Sequence, residues 1–344
     1  MSIVAAYGVQ TEVAGGEPGG RGGVASGSAH DVRGARSRPG QGTGCLRDQV
    51  ALVTGGGRGL GQSFACALAR AGARVAVVAR SPVQLSDTVG RIEGGGGRAV
   101  GVIADVAERA AVQEAVAAVE TQLGPVDVLV NNAGVGGPVG PLWQSDPDEW
   151  WRCMEVNVRG ILLCSRAVLP GMLARGRGRI INVSSAAGSF ATPNHSAYIT
   201  SKTAVTRLTE VLAAEVRGRG VAVFAIEPGT VRTALTEGLM ECACMGALRN
   251  AFAQGRDVSP QQATQLVVSL AGGCGDALSG LLIHRHDKVD EMLAGQQAIR
   301  GLGLHVLRLH AYGRRMGALF ALLRAWRWLG APVSRRARRG RGGR

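Results

Sequence analysis

The segment Gln49-Val50-Ala51-Leu52-Val53-Thr54 runs directly into Gly55-Gly56-Gly57-Arg58-Gly59-Leu60-Gly61, and no other stretch limits the fold as strongly. A short aliphatic run ended by glycines reads as a buried strand. The residues after it, Gln62 to Arg70, repeat apolar positions at helical spacing up to a stop at Gly72. The same strand, turn and helix rhythm predicts further strands over 74–79, 99–103, 126–130, 179–183 and 221–226, with helical stretches between them. A helix near 260–270 and a short strand at 281–283 come last. Strands alternating with helices imply a parallel sheet covered on both faces, so the expected class is α/β, a doubly wound single domain of about seven strands. No internal repeat of a solenoid or propeller is apparent.

Charge is distributed unevenly along the 344 residues. The formal net charge is +14, but residues 311–344 hold ten Arg and no acid, residues 1–46 hold four Arg against three acids, and 47–310 hold 25 basic against 22 acidic residues. The central segment is therefore close to neutral, and a polyanion partner is not implied for the fold itself. Residues 1–46 are rich in Gly, Ser and Arg and are expected to be a disordered extension. The folded domain is expected over 47–290, with a helical and Arg-rich extension over 291–344. Seven cysteines without a paired C-x-x-C spacing fit reduced thiols in a cytoplasmic protein, although Cys242 and Cys244 leave a metal or redox pair open. No secretory h-region and no uncharged apolar stretch of about 18 residues are present.

The glycine turn after the first strand is a phosphate cradle by position: it lets the backbone approach a pyrophosphate whose charge rests on the following helix N-terminus. A tight strand-to-helix connection would need the same glycines. The spacing T-G-x-x-x-G-x-G resembles that of the short-chain dehydrogenase/reductase superfamily. Further segments match its pattern in order: Asp105, Asn131-Asn132-Ala133-Gly134, Asn157, Ser185 and Tyr198-Ile199-Thr200-Ser201-Lys202. The resemblance covers roughly residues 47–290 and implies a Rossmann fold.

A Y-x-x-x-K pair alone is weak, because residues four apart on a helix are ordinary neighbours. Ser185 precedes Tyr198 at the family's spacing, which makes the pair a candidate site. Tyrosine, with a pKa of about 10, becomes a useful base only beside positive charge, which Lys202 and a cationic nicotinamide would supply. Ser185 would bind the substrate oxygen, while Tyr198 gives or takes the proton. The resemblance adds that Lys202 binds the nicotinamide ribose and that Asn157 anchors a water in the proton relay. A helix-interior amide satisfying a backbone group is a compatible reading of Asn157.

Cofactor choice is read at the end of the second strand, where an acid selects NAD and an arginine pairs with the 2′-phosphate of NADP. Arg80 stands there and Arg58 lies within the glycine turn, with no acid evident as a competitor, so NADP(H) is expected ahead of NAD(H). Two solvated surface arginines are the other reading. By resemblance, the cofactor would meet Thr54, Gly55, Arg58, Gly59, Leu60, Gly61, Arg80, Asp105, Val106, Asn132, Ala133, Gly134, Tyr198 and Lys202. It would also meet Pro228, Gly229, Val231 and Thr233 after the sixth strand. Residues 234–258 should form a variable substrate lid, in which Met240, Met245, Leu248 and Phe252 suggest an apolar pocket or simple core packing.

His284 and His286 flank Arg285 just after the last expected strand and would share a face if it continued; a solvated strand end explains them better than a metal, and no metal is needed for the expected chemistry. The tail holds an apolar helical run at 316–329 and an Arg run at 335–341, so a membrane surface or nucleic acid is open as a partner but not favoured over a solvated extension. The sequence thus points to an NADP(H)-dependent oxidoreductase acting on a small alcohol or carbonyl substrate. The resemblance adds a homodimer or homotetramer. A non-catalytic or nucleic-acid-binding protein on the same scaffold is the alternative.

Overall fold

A computed structural model describes residues 45–240 and 242–307. The extension 1–44 and the Arg-rich tail lie outside the described residues, together with every reading made on them. The chain alternates strands β1 (Val50–Thr54), β2 (Arg74–Ala79), β3 (Arg98–Ile103), β4 (Val128–Asn131), β5 (Gly178–Val183), β6 (Val221–Glu227) and β7 (Leu282–His284) with helices. The helices are α1 (Gly59–Arg70), α2 (Pro82–Gly94), α3 (Arg109–Leu123), α4 (Pro147–Met154), α5 (Gly160–Arg175), α6 (Ser196–Glu215), α7 (Ala234–Met240), α8 (Gly246–Ala253), α9 (Pro260–Ala271), α10 (Val289–Ala294) and α11 (Gln296–Leu302).

One sheet of seven strands runs in the order β3-β2-β1-β4-β5-β6-β7, and every neighbouring pair is parallel. The expected doubly wound class is therefore the observed one. Side chains alternate across each strand, so β1 feeds two cores at once. Ala51 and Val53 enter the layer with Phe64, Leu68, Leu266 and Leu270, while Val50 and Leu52 enter the layer with Val116, Val119, Val168 and Met172. Burying either strand face stabilises the fold by about 1.5–3 kcal/mol per large aliphatic side chain. Truncating Leu52, 1% exposed, to Ala would cost about 2–5 kcal/mol.

The chain moves outward from β1 to β3 on one side and from β4 to β7 on the other. The strand order therefore reverses between β1 and β4, and a crevice opens at their carboxyl ends. A π turn at Glu155–Arg159 joins α4 to α5, a local widening of the helix of the kind found at functional sites. Pro147–Arg175 is long and apolar enough to cross a membrane by length and composition, but α5 buries Ile161, Cys164, Val168 and Met172 against the sheet as a core helix does.

Three features differ from expectation. Leu46, placed in the extension, is fully buried, and its N–H bonds to the Ala71 carbonyl at 2.9 Å. At the other end the folded unit continues beyond 290 to Val306, because Met292 and Ile299 bury apolar faces in the core. Cys242 and Cys244, expected with the other cysteines as reduced thiols but left open as a metal or redox pair, form a disulfide.

Candidate active site

The glycine turn sits where β1 meets the crevice. Gly55 has φ +61°, and a Cβ on Gly61 would stand 2.1 Å from the Gly55 carbonyl oxygen, so two strands of backbone meet where only hydrogen fits. Thr54 is buried behind the turn and accepts the N–H groups of Asn132 and Ala133 at 3.0 and 3.1 Å. The Asn132 amide donates back to the Thr54 and Gly55 carbonyls at 3.0 and 3.2 Å. These bonds lock the turn to the end of β4 and leave its open side facing a cleft of about 570 Å³. The cradle runs from the turn after β1 into the first turn of α1 and carries no side chain beyond hydrogen at Gly55, Gly59 and Gly61, which fits a pyrophosphate.

The cleft brings together nearly all the expected residues. Gly55, Arg58, Gly59, Leu60, Gly61, Arg80, Asp105, Val106, Asn132, Ala133, Gly134, Ser185, Tyr198, Lys202, Pro228, Gly229, Val231 and Thr233 line it. Thr54 and Asn157 do not. Asn157 is fully buried in the π turn, where Oδ1 accepts the Val135 N–H at 2.8 Å while Nδ2 donates to the Val135 carbonyl and the Ser201 hydroxyl at 2.9 Å each. It clamps the backbone after Gly134 from behind, as a positioning residue.

At the inner end, Tyr198 and Lys202 sit one turn apart on α6. Lys202 is 5% exposed; its ammonium donates to the Val183 carbonyl at 2.8 Å and lies 5.5 Å from the centre of the Tyr198 ring. Burial pushes its pKa down to about 8, with the Cys153 thiol acting the other way. Ser185 starts a 3₁₀ turn after β5, and its Oγ accepts the Ala187 N–H at 3.2 Å. That leaves the hydroxyl proton to be donated into the cleft. His195 escaped the sequence reading. Its buried ring stacks on Tyr198 at 4.7 Å and 8°, and Nε2 meets the Gly136 carbonyl at 3.1 Å. Burial lowers its pKa, so the ring packs as a neutral wall. Its position three residues before Tyr198, about one helical turn, was the available signal.

At the outer end, Arg58 is exposed and the Arg80 side chain retains 70% of its accessibility. The expectation that no acid competes for Arg80 is corrected here, because Asp105 Oδ2 lies 4.0 Å from Arg80 Nη1. Asp105 is itself held by Arg152, on α4, and by the Ala107 N–H at 3.0 Å. Partial burial raises the Asp105 pKa, but these partners outweigh it and the carboxyl stays below its usual range. Arg152 thus takes up the acid that would otherwise bind Arg80.

After β6, buried Glu227 accepts the Gly229 N–H at 2.9 Å and pairs with Arg285 at 3.2 Å, which fixes the Pro228-Gly229 bend. The Arg285 partner was not evident in the sequence, since it lies 58 positions away. Thr236 likewise ties Thr233 and Val231 into one turn at the cleft wall. Beyond it, Leu239, Leu248 and Phe252 form a small apolar cluster with Leu235, Met240 and Met245. Leu235 also faces the cleft, so the cluster continues its apolar wall.

A parallel sheet with a glycine cradle at its reversal point, and a Ser, Tyr and Lys set in the same cleft, defines a dinucleotide-dependent oxidoreductase scaffold. The sequence profile of the family described as short chain dehydrogenase matches residues 49–242. The chain belongs to that family, whose members are oxidoreductases of alcohol and carbonyl groups. A short chain dehydrogenase of Pseudocercospora fijiensis is 44% identical over 194 residues, 56% of this chain and 62% of that protein, so the match spans less than two thirds of the relative. The structure is similar to that of an actinorhodin polyketide ketoreductase with NADPH, at TM-score 0.65 and 33% identity, covering 69% of this chain and 95% of the other. An NAD+-bound xylitol dehydrogenase matches with TM-score 0.65 and 27% identity, covering 70% of this chain and 98% of the other.

Proposed function

We propose that this chain is an NADP(H)-dependent oxidoreductase that interconverts a secondary alcohol and a ketone of a small apolar substrate, with Tyr198 as general acid and base. The observation that carries this reading is the buried Lys202 ammonium beside the Tyr198 ring, in one cleft with Ser185 and the glycine cradle.

The cradle from Gly55 to Gly61 would hold the pyrophosphate, Lys202 the nicotinamide ribose, and Pro228 to Thr233 the carboxamide end; when bound, the nicotinamide supplies or accepts the hydride. Ser185 donates to the substrate oxygen and holds the reacting carbon over the cleft floor. Tyr198 gives its proton to that oxygen in reduction and takes it back in oxidation, and the Lys202 cation favours the phenolate. His195 and the Asn157 clamp on Val135 keep the two sides of the site in register. Arg58 and Arg80 support a 2′-phosphate, with NAD(H) as the other cofactor. The Leu239, Leu248 and Phe252 cluster supports an apolar substrate. Exposed Trp151, Leu162 and Val211 on α4, α5 and α6 support a homodimer or homotetramer through those helices.

A panel of apolar ketones and secondary alcohols, assayed with NADPH, NADH and their oxidised forms by nicotinamide absorbance, tests the reading. Turnover with NADPH ahead of NADH is expected. No turnover with any cofactor would remove the enzyme assignment, and a preference for NADH would remove the role given to Arg80.

A further inference from the structure

We propose that His284, Asp287 and His305 form a zinc-binding site that fastens β7 to the segment closing the fold. The sequence pairs His284 with His286. The structure instead replaces His286 with an aspartate from the next turn and a histidine returned by α10 and α11, and the three ligand atoms of His284, Asp287 and His305 lie within 4.8 Å of one another.

Each member is set by a separate contact. Asp287 closes the turn after β7, its Oδ2 accepting the His284 N–H at 2.7 Å. The Leu282 N–H binds the His305 carbonyl at 2.9 Å, and His305 Nδ1 donates to the Leu282 carbonyl at 2.8 Å. With Nδ1–H on the main-chain carbonyl the lone pair lies on Nε2, and the same Nδ1 stands 3.6 Å from Asp287 Oδ2, which sets the His305 ring against the carboxylate. His284 Nδ1 is buried with no hydrogen-bond partner among the described residues; Glu227 Oε2 is 3.6 Å away and turned to Arg285. Glu227 is the acid that faces this nitrogen, and it is already engaged by Arg285 and by the Gly229 N–H.

The charged groups facing the cluster also suit a cation. Asp287 and Glu227 bring two negative charges, and the Arg285 guanidinium brings one positive charge engaged at 3.2 Å with Glu227. His286 only stacks on His284, at 5.7 Å between ring centres. Two imidazoles and one carboxylate are a zinc donor set, too nitrogen-rich for calcium or magnesium. All three side chains are partly exposed, which gives an ion a path from solvent. Glu227 also holds Gly229, so the site would brace the wall of the cofactor cleft from outside.

The test uses the full chain without an affinity tag, stripped with chelator and titrated with zinc by calorimetry near neutral pH. One equivalent should bind and raise the thermal midpoint. His305→Gln and Asp287→Asn should each weaken binding at least as much as outer-shell losses do, about 10- to 100-fold, while His286→Gln leaves it unchanged. Asp287→Asn retains an oxygen for the His284 N–H, so it separates loss of a ligand from loss of the turn. Cobalt in place of zinc should give ligand-field bands without the intense thiolate charge-transfer band that cysteine sites produce. Absence of stoichiometric zinc binding, affinity unchanged in both ligand variants, or a thiolate spectrum would each overturn the proposal, leaving imidazole and carboxylate pairs without metal.

Discussion

At the inner end of the cleft Lys202 is 5% exposed with its ammonium fixed on the Val183 carbonyl, whereas at the outer end the Arg80 side chain is 70% exposed and its nearest acid belongs to Arg152. The inner groups paid their ordering entropy when the protein folded, and they act where water screens them least. The outer arginines must be ordered by the ligand and are screened by salt. Proton transfer therefore rests on packing that any disturbance damages, while cofactor choice rests on side chains that can change without disturbing the fold.

Gly61→Ala should break this division most severely, because a methyl 2.1 Å from the Gly55 oxygen must displace the cradle. A strain of about 3 kcal/mol corresponds to roughly a 100-fold loss of NADPH affinity, measurable by fluorescence titration. Lys202 offers a pH test with opposite signs in two readouts. Its pKa falls from 10.5 to about 8, so above about pH 8 the folded chain loses the charge that favours phenolate. Consequently kcat/KM should decline above that pH, approaching tenfold per unit. Between about 8 and 10.5 the unfolded chain binds more protons than the folded one, so this lysine should make stability rise with pH in that window, relative to Lys202→Met.

Arg80→Ala should raise KM for NADPH about tenfold and leave NADH unchanged, the scale expected for losing a charge-assisted bond of about 1.5 kcal/mol. Equal effects on both cofactors would remove the contrast between the two ends. Arg152→Ala should be the mildest: less than about 1 kcal/mol of stability, by chemical denaturation, for a pair this exposed. It should also lower the preference for NADPH, because Asp105 is then free to draw on Arg80 at 4.0 Å.

The parts of this molecule legible in its sequence are those with local causes. The strands, the turn and the Y-x-x-x-K pair follow from periodicity and spacing, and the strand ends fall within about two residues of expectation. Asp105 as a neighbour of Arg80 was not legible, since the Asp105 and Arg152 pair that governs it joins positions 47 apart. Glu227 read as part of a turn until Arg285 came back from β7 to meet it. Asn157 looked like a helix-interior amide and is one, but the π turn that aims both its polar atoms at Val135 leaves no mark in the periodicity. The domain end was placed too early because α10 and α11 are each only a turn or two long and bury few side chains, Met292 and Ile299 among them.

The contrast between a fixed chemical end and an adaptable binding end depends on Tyr198. Single-turnover reduction of a substrate found in the ketone panel, by Tyr198→Phe with NADPH already bound, tests it most directly. A fall of about 100- to 10,000-fold in the hydride-transfer rate is expected, the range of general acid catalysis, with NADPH affinity within about twofold of the unaltered chain. An unaltered rate would contradict it.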